Sequence, residues 1–365
     1  MSVVEPFHVM VVDDSTVIRG LVTRALEGDP HIKVTSSVAD GQMAVNALAR
    51  HPVDVILLDI EMPVMDGIEA IPKLLAVNPN VKIIMSSTLT VHNAEISLKA
   101  MALGAHDYVA KPTSTKEMAG ADDFKRELVE KIKELGAQAR HHTVGQTPAK
   151  AVDTRAAATV NNDGPITFRT TPIARPDVIA IGSSTGGPQA LFVVMKELKG
   201  LRQPIVITQH MPATFTTILA QHISTQAGVP CEEAKDGMKL EGGKAYLAPG
   251  DFHMAFTGTS GDVRIALNKN PPENFCRPAV DPMLRSLAPI VGKRLLVAIL
   301  TGMGSDGAAG AKNVVDVGGT VVAQDEASSV VWGMPAAVVK AGLCHALVPL
   351  NDMGQWLRQQ AEKAG

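Results

Sequence analysis

Short apolar runs alternate with amphipathic helical stretches in two successive blocks of this 365-residue chain, and that alternation confines each block to a parallel α/β architecture. In the first block, residues 7–125, the runs HVMVV, KVTSSVA, VDVILLD, VKIIMSS and HDYVAK read as strands. Helical periods such as IRGLVTRAL and MAVNALAR lie between them. Five strands in so short a span predict a flavodoxin-like, doubly wound domain on a five-stranded parallel sheet. The second block, residues 176–360, offers DVIAIG, PIVITQH, KAYLAP, HMAFT, VRIAL, RLLVAILTG, TVVAQD and ALVPL. These near-continuous apolar runs predict strands covered on both faces of a second doubly wound, mostly parallel sheet.

Residues 126–175 between the blocks read as the end of a helix and a flexible linker. From 136 onward they are poor in large apolar side chains, rich in Ala, Thr, Gly and Pro, and without a lasting period. A balance of 34 basic against 37 acidic residues leaves no electrostatic footprint for nucleic acid, and 3% aromatics cannot furnish base-stacking platforms. Cys231, Cys276 and Cys344 form no CxxC pair and read as reduced thiols. No run reaches the ~18 apolar residues that a membrane span requires. The opening MSVVEPFHVMVVDD turns acidic before a signal-peptide core develops, so the expectation is a cytoplasmic protein without direct membrane insertion.

Chemistry-bearing residues gather at the strand ends. In the first block Asp13 and Asp14 follow the first strand, Asp59 ends the third, Ser87 the fourth and Lys111 the fifth. In a parallel sheet these ends share the carboxyl edge. Three mutually repelling carboxylates there imply a hard cation, and an all-oxygen set suits Mg2+. Asp59 is then a nucleophile towards a phosphoryl donor, with Lys111 and Ser87 binding the transferred oxygens. The structural alternative has the aspartates capping helices or turns and Lys111 on the surface; it accommodates each residue singly, less comfortably all five.

In the second block a strand runs into Gly182-Ser183-Ser184-Thr185-Gly186-Gly187-Pro188 and then a helix, the G-x-S-x-G context that projects a nucleophilic serine. Pro188 excludes a phosphate-binding P-loop, and the glycine spacing fails the dinucleotide fingerprint. Ser184 is centred in the motif, with Ser183 its rival. His210 ends the next strand, and Asp306 follows a later one in TGMGSDG. Serine, base and carboxylate on one sheet edge supply the parts of a triad in the order Ser…His…Asp. Singly, His210 also reads as a satisfied strand end and Asp306 as a helix cap.

Residues 8–115 resemble a response-regulator receiver domain. The resemblance matches Asp59 to the phospho-acceptor, Asp13 and Asp14 to the magnesium-binding pair, Lys111 to the conserved-type lysine and Tyr108 to the aromatic switch. Ser87 matches the hydroxyl position, with SST leaving the register open by one residue. IGSSTGGPQAL, ITQHMP, CRPAVDPML and LTGMGSDGAAG resemble the catalytic domain of the CheB chemotaxis methylesterases. That resemblance implies Ser184 as nucleophile, His210 as base, Asp306 as third member, Thr185 lining the site and the Met303 N–H at the oxyanion. It implies hydrolysis of receptor glutamate γ-methyl esters, deamidation of receptor glutamines, and no cofactor for the esterase. The implied partners are methyl-accepting chemotaxis receptors and a chemotaxis histidine kinase, with recruitment to receptor arrays at the inner membrane. A receiver upstream of the esterase is expected to restrain it until Asp59 is phosphorylated. The rival readings are a hydrolase for another protein ester or amide, a binding output without turnover, and a DNA-binding regulator, the last lacking any basic output module.

Overall fold

The computed structural model describes residues 5–88, 90–111, 122–144 and 166–363. The chain divides into two compact units, Met1–Pro148 and Ala149–Gly365. The middle of the expected linker, 145–165, lies outside the described residues, as does Pro112.

The first unit carries strands β1 (Phe7–Val12), β2 (Ile32–Val38), β3 (Val55–Asp59), β4 (Lys82–Ser87) and β5 (Asp107–Ala110). They form one parallel sheet in the order β2-β1-β3-β4-β5. Helices α1 (Thr16–Glu27), α2 (Gly41–Arg50), α3 (Gly67–Val77) and α4 (Val91–Ala102) alternate with the strands. Each starts where Ser15, Asp40, Asp66 or Thr90 turns its side-chain oxygen onto a first-turn N–H. β3 and β4 are buried throughout, as strands covered on both faces require. Helix α5 (Asp122–Val144) buries Leu128, Ile132 and Leu135, and extends eight residues past 136, where helical periodicity fades from the sequence.

In the second unit the sheet order is β14-β13-β12-β6-β7-β9-β8, all neighbours parallel. Its strands are β6 (Val178–Ser183), β7 (Ile205–Gln209), β8 (Cys231–Glu233), β9 (Ala245–Leu247), β12 (Leu295–Ile299), β13 (Thr320–Gln324) and β14 (Ala346–Val348). Helices α6 (Gly187–Glu197), α7 (Ala213–His222), α8 (Val280–Val291), α9 (Ala308–Asp316), α10 (Met334–Lys340) and α11 (Leu350–Ala361) complete it. The chain leaves β6 towards β7 on one side and later returns to lay β12 on the other. That makes β6 the switch point where α/β sheets open a crevice at their carboxyl ends.

Two features depart from the simple alternation. β10 (His253–Thr259) and β11 (Asp262–Asn268) stand outside the main sheet as an antiparallel pair. One face is buried through Met254, Phe256, Val263 and Ile265, while the other is half-buried or exposed apart from His253, so they do not share the two-sided cover of the central strands. β8, with the sequence CEE, is an edge strand that its composition does not announce. Among the described residues, no helix is long and apolar enough to cross a membrane.

Candidate functional site

The carboxyl edge of the first sheet assembles the expected acidic pocket. Carboxylate oxygens of Asp13, Asp14 and Asp59 lie within 4.8 Å of one another. Lys111 Nζ reaches Asp13 Oδ2 at 2.7 Å and Asp59 Oδ2 at 2.8 Å. Asp13 and Asp59 are buried while Asp14 is exposed, so the cluster opens to solvent on one side. Burial, together with the charge of Asp13, pushes the Asp59 carboxyl up to about 6 against the opposing pull of Lys111. Burial works against the charge of Lys111, yet its bonds to the two aspartates prevail and raise it. Three carboxylates balanced by one ammonium, with only oxygen donors, fit a magnesium ion.

Strand register distinguishes the two neighbouring hydroxyls. Asp59 pairs with Ser86, and Ser86 in turn with Val109. Paired residues of parallel strands project to the same face and successive residues to opposite faces. By that rule Ser86 shares the face of Asp59, while Ser87 Oγ donates to the Thr88 carbonyl at 3.2 Å. Tyr108 is buried, and its ring lies beneath Lys131 Nζ, 5.3 Å from the centroid.

In the second unit, Ser183 and Gln209 are the last register pair of β6 and β7, so Ser184 and His210 emerge side by side. The two serines differ in their contacts. Ser183 is fully buried and its Oγ donates to Gln209 Oε1 at 2.6 Å. Ser184 is partly exposed, and its hydroxyl makes no hydrogen bond among the described residues. Gln209 Nε2 donates to the carbonyls of Ser184, at 2.9 Å, and His210, at 3.3 Å, clamping the turn. Gly186 takes φ of +75°, and a Cβ on Gly187 would lie 2.0 Å from Gln209 Oε1, so this turn needs glycine at both places.

His210 Nε2 meets Asp306 Oδ2 at 2.7 Å, and Asp306 is 1% exposed. Ala279 at the N-cap of α8 has no side-chain oxygen to offer. Asp306 fills that role from another segment, accepting from Val280 N at 2.6 Å and Asp281 N at 3.1 Å. The residue that caps α8 is thus also the carboxylate that meets His210. Burial opposes its charge, but His210 and the two N–H groups outweigh burial and hold its carboxyl below the ordinary range. Burial alone would lower His210; its contacts with Cys276 and Asp306 reverse this and raise it to about 10.

Thr185 is buried, its carbonyl accepting from Thr301 Oγ1 at 2.9 Å. Met303 lies in the turn after β12, partly exposed. A cavity of about 620 Å3 lined by Arg175, Asp177, Arg202, Lys293 and Arg294 sits at the amino ends of β6 and β12, away from these residues. Sequence reasoning missed Gln209, although its place inside ITQHMP beside the base could have drawn attention. It also missed Asn274, whose Nδ2 donates to Asp306 Oδ1 at 2.9 Å and Asp281 Oδ2 at 3.1 Å. An exposed loop asparagine carries no such signal in sequence.

Comparisons with known proteins agree with this geometry. Residues 179–357 match the family model described as CheB methylesterase, and residues 9–121 that of the response regulator receiver domain. The chain is 60% identical over 372 residues to a protein-glutamate methylesterase/protein-glutamine glutaminase of Azospirillum brasilense, covering 99% of this chain and 94% of that protein. It is 57% identical to a counterpart of a group 2 operon in Rhodospirillum centenum, covering 98% and 95%. Among solved structures it is similar to the CheB methylesterase catalytic domain of Thermotoga maritima, 39% identical with TM-score 0.49 over 50% of this chain and 98% of that one. The chain belongs to the CheB family of protein-glutamate methylesterases/protein-glutamine glutaminases, with a receiver domain ahead of its methylesterase domain.

Proposed function

We propose that Ser184, His210 and Asp306 catalyse hydrolysis of glutamate γ-methyl esters on chemoreceptors, and that Asp59 controls this activity as a phospho-acceptor. The observation that carries the reading is the His210–Asp306 pair at 2.7 Å on the strand next to Ser184. With Nε2 engaged by the carboxylate, Nδ1, which lies 3.3 Å from Cys276 Sγ, turns from the thiol to Ser184 Oγ to take the serine proton. Ser184 Oγ attacks the ester carbonyl, methanol leaves with that proton, and water releases the glutamate by the reverse relay. The N–H of Met303 holds the oxyanion, and Thr185 lines the site. A receptor glutamine passes through the same tetrahedral oxyanion and leaves ammonia instead, so deamidation needs no second site.

In the receiver, Asp59 takes a phosphoryl group from a chemotaxis histidine kinase. Asp13, Asp14 and Asp59 hold Mg2+, which when bound offsets charge on the phosphoryl oxygens. Lys111 pairs with those oxygens, and Tyr108 serves as the aromatic switch. The hydroxyl partner is Ser86 rather than Ser87, because only Ser86 is in register with Asp59. The receptor substrates place this work on the cytoplasmic side of the membrane, at receptor arrays. The restraint exerted by the receiver is tested by deleting residues 1–135, which is expected to raise basal activity.

Methanol release from methylated receptor membranes, with and without acetyl phosphate, tests the whole reading. Release should be stimulated by the phosphodonor, vanish in Ser184→Ala, and lose its stimulation in Asp59→Ala. No release by the wild-type protein on receptors of its own organism would overturn the receptor assignment.

A further inference from the structure

The second nitrogen of His210 does not face solvent. Cys276 Sγ lies 3.3 Å from His210 Nδ1. The thiol is held there by its own loop: Glu273 and Cys276 exchange both backbone hydrogen bonds, at 3.1 and 2.9 Å. Between them Asn274 and Phe275 take left-handed φ of +51° and +63°, a conformation that non-glycine residues adopt only when their surroundings impose it. Asn274 is tied to Asp306 and Asp281, and the Arg277 guanidinium to Asp251 and the Lys269 and Asn270 carbonyls. One loop therefore grips both the base and the carboxylate. Cys276, His210 and Asp306 form a thiol–imidazole–carboxylate relay on the imidazole that Ser184 requires. A thiol in contact with an imidazole has a base at hand to take its proton.

We propose that Cys276 is an oxidisable gate on the esterase, a site where a hydroperoxide converts the thiol to a sulfenic acid and denies His210 to Ser184. The inference rests on the triad reading above. In the step, His210 Nδ1 takes the thiol proton and the thiolate sulfur attacks one peroxide oxygen. The S–O bond forms, the O–O bond breaks, and the departing hydroxide takes the imidazolium proton to leave as water. Sulfur loses two electrons and the peroxide gains them. The new S–OH, a stronger donor than S–H, holds the Nδ1 that the thiol yields to Ser184, and a small thiol reverses the change through a mixed disulfide. Cys276 is partly exposed and so within reach. Burial pushes the thiols of Cys231 and Cys344 up to about 12, making them internal comparisons within the same chain.

The test uses the full chain, dilute hydrogen peroxide with dimedone to trap sulfenic acid, and a fluorophosphonate probe for Ser184. Dimedone should accumulate on Cys276 at least about tenfold faster than on Cys231 or Cys344, and this preference should disappear in His210→Gln. Peroxide without dimedone should suppress fluorophosphonate labelling in the wild type, with recovery after dithiothreitol. Cys276→Ala and Cys276→Ser, each compared with its own untreated sample, should keep their labelling. Equal loss in those variants, or no preference for Cys276, overturns the gate. If untreated wild-type protein is labelled normally while Cys276 stays unreactive, the thiol inference alone fails. If Ser184 is never labelled, the serine reading fails and the gate with it.

Discussion

Asp306 and Asp281 cap each other's helices. Asp306, which precedes α9, accepts the Val280 and Asp281 N–H groups of α8, while Asp281 within α8 accepts Gly310 N of α9 at 2.6 Å. Burial and the neighbouring Asp306 charge raise the Asp281 carboxyl above its ordinary range. Asp281→Ala should therefore cost about 1–2 kcal/mol, the scale of a lost cap, and reduce turnover by moving Asp306. Asp281→Asn keeps an acceptor and removes like-charge repulsion, so its stability should match or exceed wild type above neutral pH. Urea unfolding of the three proteins decides it.

Asp306→Asn should cost about 10²–10⁴-fold in turnover. It leaves an amide where His210 needs a carboxylate, while most of the helix cap survives. Steady-state methanol release checks this, with Ser184 labelling as the parallel readout. Loss of less than about tenfold would speak against Asp306 as the partner of His210.

Esterase activity should rise with pH well beyond neutrality, because His210 acts only when neutral and its contacts raise it to about 10. The groups that contact it are Asp306 and Cys276. Removing the thiol in Cys276→Ala should move the rising limb to lower pH. The linkage sign is that of a raised base. The contribution of this proton to stability is complete below 6.5 and is lost as pH climbs through about 10.

Asp59→Asn should stabilise the first unit by about 1–2 kcal/mol at pH 8 without added metal. Its carboxyl is pushed up to about 6, so folding disfavours the ionised form, and the penalty is complete above that pH. The advantage should shrink as pH falls from 6 towards 3.8 and also when Mg2+ is added to wild type. Thermal unfolding at pH 8 and pH 5, with and without Mg2+, is the measurement.

Ser86→Ala should slow phosphorylation by acetyl phosphate about tenfold, the worth of one hydrogen bond to a charged group. Ser87→Ala should change it less than twofold. Phosphorylation kinetics on the two variants separate the neighbours.

Strand-end chemistry was legible in the sequence because parallel sheets deliver all carboxyl ends to one edge, whatever the details of packing. Asp13, Asp59 and Lys111 needed only that rule, and so did His210 and Asp306. The register that sets Ser86 opposite Asp59 was not available in the same way: it depends on the pairing of β4 with β3, a relation between segments that local pattern does not encode. Cys276 and Asn274 were opaque for a similar reason. Their loop has no periodicity, and its approach to His210 is fixed by left-handed residues without a glycine to advertise them. The β10–β11 pair read correctly as strands, but alternation of burial, not apolar content, placed it outside the main sheet.

The flanking of β6 by β7 on one side and β12 on the other has a consequence for a chain being made from its amino end. Ser184 and His210 are adjacent as soon as β7 docks, but the carboxylate partner of His210 lies 96 residues further on. A nascent or proteolytically shortened chain that stops before β12 holds a serine and an imidazole without the carboxylate that engages Nε2. Esterase activity is thus withheld from fragments, and its appearance reports that the second unit has been built nearly to its end.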